Sequence, residues 1–321
     1  MPEISVIMPY YNNEKYLQAA LESFLVQTEP DMEIILVNDG STDHSREIVN
    51  SYRDPRLVRV ELPQNRGISA AYNAGLEKAR SEYICFAGAD DIAMPDRVKK
   101  VMKAFRSDPS VSIVVSDVAV IDAEGRDTKK RYGFPDYVTA DNVLIETFKR
   151  NYFLGAAMAI KRQAGLFLDP AIPAGDDFDL AVRILLAGGK WARIAEPLVK
   201  YRIHGGNFSG TYHRMRQGAL YVYQKYSLSF LRDKFSALGH SEYEINLALG
   251  IIHLFKNEAR QALPVLSKAL EENTDEERLR FENHFYLGVA LYLTGGYDMS
   301  RYHFKKALEI YAEEPTALNN A

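Results

Sequence analysis

Short apolar runs and amphipathic stretches alternate along the first third of this chain. Ile4-Ser5-Val6-Ile7-Met8-Pro9, Glu33 to Val37, Leu57 to Leu62 and Tyr83 to Ala87 are long enough for buried strands and too short for helices. Between them Leu17, Ala20, Leu21, Phe24 and Leu25 recur at helical spacing, Asn13 stands where it can cap that helix, and Gly67 to Arg80 reads as another. This order predicts βαβ units: an α/β domain of Rossmann-like type, its sheet mostly parallel and covered by helices on both faces. In such sheets ligands bind beyond the carboxyl ends of the strands. Tyr11, Asp39, Asp90 and Asp91 fall just past strand ends, so four loops should share one crevice.

The fourth of these strand ends carries the most chemistry. Tyr83 to Ala87 runs into Gly88-Ala89-Asp90-Asp91, and Pro95-Asp96 then suits the start of the next helix. Adjacent carboxylates repel unless a cation lies beside them, and a hard divalent ion with oxygen ligands fits that place. Aspartate is also common in turns and helix caps, which is the plainer reading of the same two residues. No glycine-rich phosphate loop follows the first strand, so a nucleotide here is not held by its phosphates in that way.

Composition removes several classes. A net charge of −4 without a long basic run gives no nucleic-acid-binding surface. No apolar stretch approaches the length of a membrane span, and Met1 to Ser5 does not begin a signal peptide. The one cysteine, Cys85, lies inside a predicted strand, which excludes a disulfide framework and suits a packed core thiol. A cytoplasmic protein is expected, with peripheral association at the inner face of the membrane as a further expectation.

Further along, Val111 to Val115 is another strand, and Gly125 to Tyr137 is a charged and aromatic stretch read as a solvated loop rather than an acceptor-binding one. Phe153 to Ile160 is small and apolar, as in a strand approached closely by a ligand or another backbone. Asp176, Asp177 and Asp179 cluster in the first turn of a helix whose Phe178, Val182 and Leu185 face inward. The helix dipole explains acidic residues there, but not three of them. Trp191 to Ala195 reads as a last strand, followed by Tyr201-Arg202-Ile203-His204-Gly205-Gly206-Asn207-Phe208-Ser209.

Taken in order, Ser5 to Asn12, Val37 to Asp43, Asn65-Arg66-Gly67 with Asn73-Ala74-Gly75-Leu76, and Gly88 to Asp91 resemble the ordered motifs of family 2 glycosyltransferases. The likeness spans residues 4 to about 210. It implies the GT-A fold and an inverting transfer from a nucleoside diphosphate sugar, with a lean to uridine, to a hydroxyl of a glycan, lipid-linked or protein acceptor. Pro9 and Tyr11 would line the nucleobase slot, Asp39 would hold base or ribose, and Asn65, Gly67, Asn73 and Asp90 would complete the donor site. Many members carry Asp-x-Asp where this chain has Gly88, so metal and ribose fall to Asp90 and Asp91, the division between them left open. His204, in a segment resembling the family's Tyr-Arg-x-His-x-x-Asn-x-Ser, would join the metal, Mn²⁺ or Mg²⁺. The family's acidic pair falls on Asp176 and Asp177, with Asp177 as the base. The Gln-x-x-Arg-Trp signature of processive members is missing, which points to single-sugar transfer.

Beyond residue 210 the pattern becomes helical. Leu249-Gly250, Ala262, Leu266 and Ala269 recur 38 residues later as Leu287-Gly288, Ser300, Phe304 and Ala307. Two tetratricopeptide-like helix pairs are predicted, with turns near Lys256-Asn257 and Gly295-Gly296. The expected division is a GT-A domain over 1–210, a helical linker over 211–238 and an all-α domain over 239–321, the last offering a surface for a protein partner or a second copy. Two other readings stand beside the transferase. One is a metal-dependent nucleotidyltransferase, which needs a basic glycine-rich loop that Tyr10-Tyr11-Asn12-Asn13 is not. The other is a decayed catalytic domain serving as a scaffold, against which the joint presence of Asp39, Asp90, Asp91, Asp177 and His204 speaks.

Overall fold

The computed structural model describes residues 1–163, 165–206 and 212–313. Asn207 and Ser209 of the histidine segment, and the stretch 314–321, lie outside the described residues. The chain divides into two compact units, residues 1–134 with 152–218 and residues 135–151 with 219–321.

The first unit is built on nine strands, β1 (Ile4–Tyr10), β2 (Met32–Asn38), β3 (Leu57–Glu61), β4 (Tyr83–Phe86), β5 (Ile92–Ala93), β6 (Val111–Ile121), β7 (Asp127–Tyr132), β8 (Met158–Lys161) and β9 (Lys190–Arg202). Their order is β3-β2-β1-β4-β8-β6-β9-β5, with β7 on β6. From β3 to β4 every pairing is parallel, as the alternation predicts. Beyond β4 the sheet is mixed, because β8 lies antiparallel to both neighbours. A buried apolar run shows a strand without its direction, so this half was not readable from pattern. Pro9 does not end β1: it pairs with Val37, while β4 stops at Phe86 opposite Ile7. The missing N–H therefore falls where no β4 partner exists.

Strand β9 also runs further than expected. Glu196-Pro197 reads as a stop, but a register shift opposite Ser116 and Asp117 absorbs it, and the ladder continues to Arg202. Tyr201 and Arg202 are thus strand residues that aim the histidine after them. The stretch expected as a solvated loop carries β7, a fully exposed strand antiparallel to β6.

Helices α1 (Leu17–Leu25), α2 (Ser45–Ser51), α3 (Ile68–Lys78), α4 (Arg97–Ser107) and, after α5 (Val143–Lys149), α6 (Asp176–Leu186) complete this unit. On one sheet face Val6 and Met8 pack with Leu17, Leu21 and Phe24 of α1 and with Val98, Met102 and Phe105 of α4. On the other, α3 lies so close that a Cβ on Gly75 would stand 2.3 Å from Ile7 Cγ2. That contact fixes the start of α3, and with it the motif residues before it, against β1.

The second unit is helical: α5, the end of α7 (Tyr212–Gln224), α8 (Leu228–Ala237), α9 (Glu242–Phe255), α10 (Ala259–Glu271), α11 (Glu277–Thr294) and α12 (Tyr297–Glu313). The 38-residue repeat is structural. A Cβ on Gly250 would meet Leu266, and one on the equivalent Gly288 would meet Phe304. Asn257 and Gly295, also equivalent, both take a left-handed conformation after the first helix of each pair. The same closing bond recurs, Glu258 N–H to His253 carbonyl and Gly296 N–H to Leu291 carbonyl. Residues 135–151, within the stretch assigned to the first domain above, pack here: Phe148 is fully buried against Tyr223, Tyr226 and Phe235. Glu146, Lys149, Arg278 and Glu282 form a buried set of ion pairs at 2.6 to 3.1 Å, with the exposed Glu276 3.7 Å from Arg278 at its edge.

Candidate active site

The loops after β1 and β2 are sewn together by short polar side chains. Asn12 N–H donates to Ser41 Oγ at 3.2 Å, Thr42 N–H to Asn12 Oδ1 at 2.8 Å, and Glu14 N–H to Asp43 Oδ2 at 3.0 Å. Pro9 is buried near the end of β1, and Tyr11 just past it is 42% exposed. Asp39 is turned inward and buried, its two oxygens accepting from the Arg66 and Gly67 N–H groups at 2.8 and 2.9 Å. Asn65 Oδ1 accepts from the same Gly67 N–H. A Cβ on Gly40 would lie 2.6 Å from the Gln64 backbone, which is why the two loops can touch at all. Asp39 thus anchors the Asn65-Arg66-Gly67 turn beside the loop that follows β2.

The acidic pair after β4 has unequal members. Asp91 is 5% exposed, and its Oδ1 accepts the Arg202 N–H at 2.8 Å. Burial, then the charge of Asp90, pushes its carboxyl up to about 8. Asp90 faces the edge, where its Oδ2 lies 3.0 Å from His204 Nε2. Arg202 Nε holds the Asp90 carbonyl at 2.8 Å, and the Tyr16 ring stands 4.7 Å from the guanidinium and 4.8 Å from the imidazole. Gly88 is explained by the same geometry. A Cβ there would come within 2.5 Å of Asp91 Oδ2 and 3.0 Å of Asp90 Oδ1, so the two carboxylates occupy the space of a first aspartate.

The second pair opens α6. Asp176 is buried and accepts from Ser69 Oγ at 2.9 Å. Asp177 is half-buried, with Oδ2 taking the Gly155 N–H and Oδ1 the Phe178 N–H, both at 2.7 Å. Burial first, then the neighbouring Asp176 charge, raises the Asp177 carboxyl to about 7, against these stabilising amides. Asp179 is committed elsewhere, fully buried and paired with Arg183 Nε at 2.8 Å.

Tyr72 relates the two pairs. Its hydroxyl donates to the Ala87 carbonyl at 3.1 Å, and burial followed by the charges of Asp176, Asp91, Asp177 and Asp90 raises its phenol well above the usual range. All four carboxylates therefore lie near enough to the Tyr72 phenol for their charges to act on it. The Asn73 amide is bonded to the Leu168 backbone. Ser69, Tyr72 and Tyr16 carry no signal in the sequence, Ser69 and Tyr72 falling between the two quoted motif segments, whereas Gly155 lies in the small apolar stretch expected to be closely approached. Among the described residues no group of three or more His, Cys, Asp or Glu is gathered as a metal site. Asp90 and His204 offer one oxygen and one nitrogen, a donor set that suits Mn²⁺ or Mg²⁺ when a ligand supplies further oxygens.

A family model described as glycosyl transferase family 2 matches residues 5–166, half of the chain. An uncharacterized glycosyltransferase of Haemophilus influenzae is 40% identical over 131 residues, covering 40% of this chain and 52% of that protein. The putative teichuronic acid biosynthesis glycosyltransferase TuaG of Bacillus subtilis is 28% identical over 228 residues, 70% of this chain and 88% of its own. Among solved structures, S. aureus TarS 1–349 in complex with UDP-GlcNAc covers 98% of this chain and 92% of its own, at 18% identity and a TM-score of 0.60. The mannosyltransferase PcManGT of Pyrobaculum calidifontis, in complex with GDP-Man and Mn²⁺, covers 98% and 88%, at 20% identity and a TM-score of 0.56. The α/β unit accordingly has the GT-A fold. No described helix is long and apolar enough to cross a membrane.

Proposed function

The chain belongs to glycosyl transferase family 2, and on that footing we propose that it moves one sugar from a UDP-linked donor to an acceptor hydroxyl with inversion. Tyr72 supports the reading, because the charges of both Asp90 and Asp177 act on its buried phenol, whose hydroxyl is held by the Ala87 carbonyl just before the first acidic pair. Asp177 takes the proton of the acceptor hydroxyl as that oxygen attacks the anomeric carbon on the face opposite the departing diphosphate. A base with a pKa near neutrality is matched to this task, and such assistance contributes about 10²–10⁴ in rate. The Gly155 and Phe178 amides fix the direction of the carboxylate. Asp176, held by Ser69, keeps the Asp177 pKa up by its charge.

Asp90 with His204 would hold a divalent ion, Mn²⁺ or Mg²⁺. When bound, the ion supplies Lewis-acid neutralisation of the diphosphate charge. Asp91 instead ties the end of β4 to β9 through the Arg202 N–H. Pro9 and Tyr11 line the slot for the nucleobase, and Asp39 shapes the donor wall through Asn65 and Gly67. TuaG and the succinoglycan biosynthesis protein ExoO of Rhizobium meliloti, 28% identical over 220 residues, support a surface-polysaccharide acceptor. The test is a panel of nucleotide sugars assayed for hydrolysis and transfer, with Mn²⁺ and with EDTA. Metal-dependent turnover of a UDP-sugar is expected. Turnover only of a GDP-sugar moves the base assignment, and no turnover of any donor removes the transferase reading.

A further inference from the structure

The sheet forks between the two acidic pairs. Strands β4 and β8 run antiparallel through the rungs Tyr83 with Lys161, Ile84 with Ile160 and Cys85 with Ala159. The next rung would join Phe86 to Met158, and it is not made. Met158 N–H turns instead to the Gly155 carbonyl, closing the turn whose own Gly155 N–H is given to Asp177 Oδ2. From the fork β4 leads to Asp90 and Asp91, while the chain before β8 supports Asp177. The Phe86 carbonyl left at the fork accepts from Arg97 Nη2, at the start of α4, at 2.8 Å. A side chain here takes the place of a ladder donor.

That side chain is a costly choice for the purpose. Arg97 is 1% exposed, its Nε has no hydrogen-bond partner among the described residues, and its guanidinium lies 5.6 Å from the Phe24 ring. Arginine keeps its charge, and burying that charge is expensive. A neutral donor would hold one carbonyl at lower cost. A cation does something more, because its charge acts on Asp91 and so opposes the repulsion within the acidic pair. The carbonyls that follow are held as well, that of Ala87 by the Tyr72 hydroxyl at 3.1 Å and that of Asp90 by Arg202 Nε at 2.8 Å. Side chains from α4, α3 and β9 thus grip the segment from Phe86 to Asp90, and Arg97 grips it at the fork itself.

We propose that Arg97 is a positioning residue for transfer, holding the Phe86 carbonyl so that the loop bearing Asp90 keeps its place relative to Asp177. This rests on the transferase reading, in which Asp90 would hold the ion and Asp177 is the base. A misplacement on the order of 1 Å between such groups costs about 10² in rate, and donor affinity changes little because the donor moves with the loop. Arg97→Met and Arg97→Gln, whose amide stops short of the carbonyl, remove the contact, and Arg97→Lys keeps a cationic donor. Met102→Ala, a core change on the same helix, is the stability control. Without metal or nucleotide, exchange of the Ala87 amide, bonded to the Ile7 carbonyl at 3.0 Å, should be at least tenfold faster in Arg97→Met and Arg97→Gln than in Met102→Ala. UDP release from UDP-glucose, UDP-galactose or UDP-N-acetylglucosamine, with Mn²⁺ and water as acceptor, should lose at least tenfold in kcat in both variants. Their UDP affinity by calorimetry should stay within threefold of wild type, and Arg97→Lys should recover at least a third of the wild-type kcat. Exchange no faster than in Met102→Ala, or kcat within threefold of wild type, overturns this role while the transferase reading stands. Arg97→Lys as slow as Arg97→Met also overturns it. A wild type that releases no UDP removes the transferase reading, and this role with it, whatever the exchange shows.

Discussion

The side chain of Asn73 is bonded in both directions to the backbone of Leu168, Nδ2 donating to the carbonyl and Oδ1 accepting from the N–H, each at 2.8 Å. An asparagine from a motif associated with donor binding thus fastens α3 to the segment that leads into α6 and Asp177. Asn73→Ala should cost about 1–3 kcal/mol, because two backbone groups lose their partner in a part-buried place. Thermal unfolding checks the stability. Calorimetry with UDP should show affinity changed less than threefold while transfer falls at least tenfold, since the displaced element carries the base. A large loss of UDP affinity would return Asn73 to the donor site.

Restoring the aspartate that the family motif carries at position 88 should harm this chain. The Cβ of Gly88→Asp would press on Asp91 Oδ2 and Asp90 Oδ1, and a third carboxylate would join two that already repel. Metal-dependent UDP affinity should fall at least tenfold in calorimetry. Tighter binding would mean that Asp91 swings out to accept the newcomer.

Asp177 ties pH to both rate and stability. The base acts deprotonated, so transfer should rise with pH to a plateau above about 7 and fall tenfold per unit on the acid side. Asp177→Asn should lose about 10²–10⁴ in transfer with UDP affinity kept, and Asp176→Asn should be milder. The stability sign is the reverse of the usual carboxylate case. The folded chain binds this proton more tightly than the unfolded one, whose pKa is near 3.8, so the protonated form stabilises at low pH. That contribution is lost as pH rises from about 4 to about 7. Asp177→Asn should therefore raise the melting temperature at pH 7.5 and leave it unchanged at pH 4. Equal melting at both pH values would show that Asp177 titrates normally.

What was readable from sequence was whatever is local. The β1, β2 and β4 runs, the strand-end aspartates and the 38-residue repeat each show in a window of adjacent residues. The direction of β8 and the continuation of β9 past Pro197 depend on partners: a bulge opposite Ser116 and Asp117 has no trace in Glu196-Pro197 itself. The supports of the site were hidden for the same reason. Ser69 meets Asp176 across 107 residues, so its hydroxyl is not marked by its neighbours in sequence; the small residues around Gly155 announce a close approach but not its partner, Asp177. The adjacency of Asp91 to Asp90 is visible in the sequence, whereas the Arg202 N–H that engages Asp91 Oδ1 is not.

The assignment of α5 rests on charges that no local pattern displays, and it has a measurable consequence. Arg278 Nη2 meets Glu146 Oε1 at 3.1 Å and its Nη1 meets Glu282 Oε1 at 2.8 Å, while Lys149 Nζ bridges the same two glutamates at 2.9 and 2.6 Å. Two cations and two anions balance inside the helical unit, with the Tyr137 ring 4.0 Å from the Arg278 guanidinium. Removing one member leaves a buried charge without its counterpart, at a cost of about 3–5 kcal/mol, far above that of a surface pair. Arg278→Met should therefore lower the melting temperature of the whole chain. Adding Glu146→Gln should recover part of the loss, because the net charge of the cluster returns to zero. A chain cut after residue 218 should aggregate rather than behave as a free transferase domain, since Phe148, Glu146 and Lys149 would lose everything they pack on. Unchanged melting of Arg278→Met in a denaturation series would show that the cluster is open to water, and a soluble, monodisperse 1–218 fragment would show that residues 135–151 do not depend on the helices that follow.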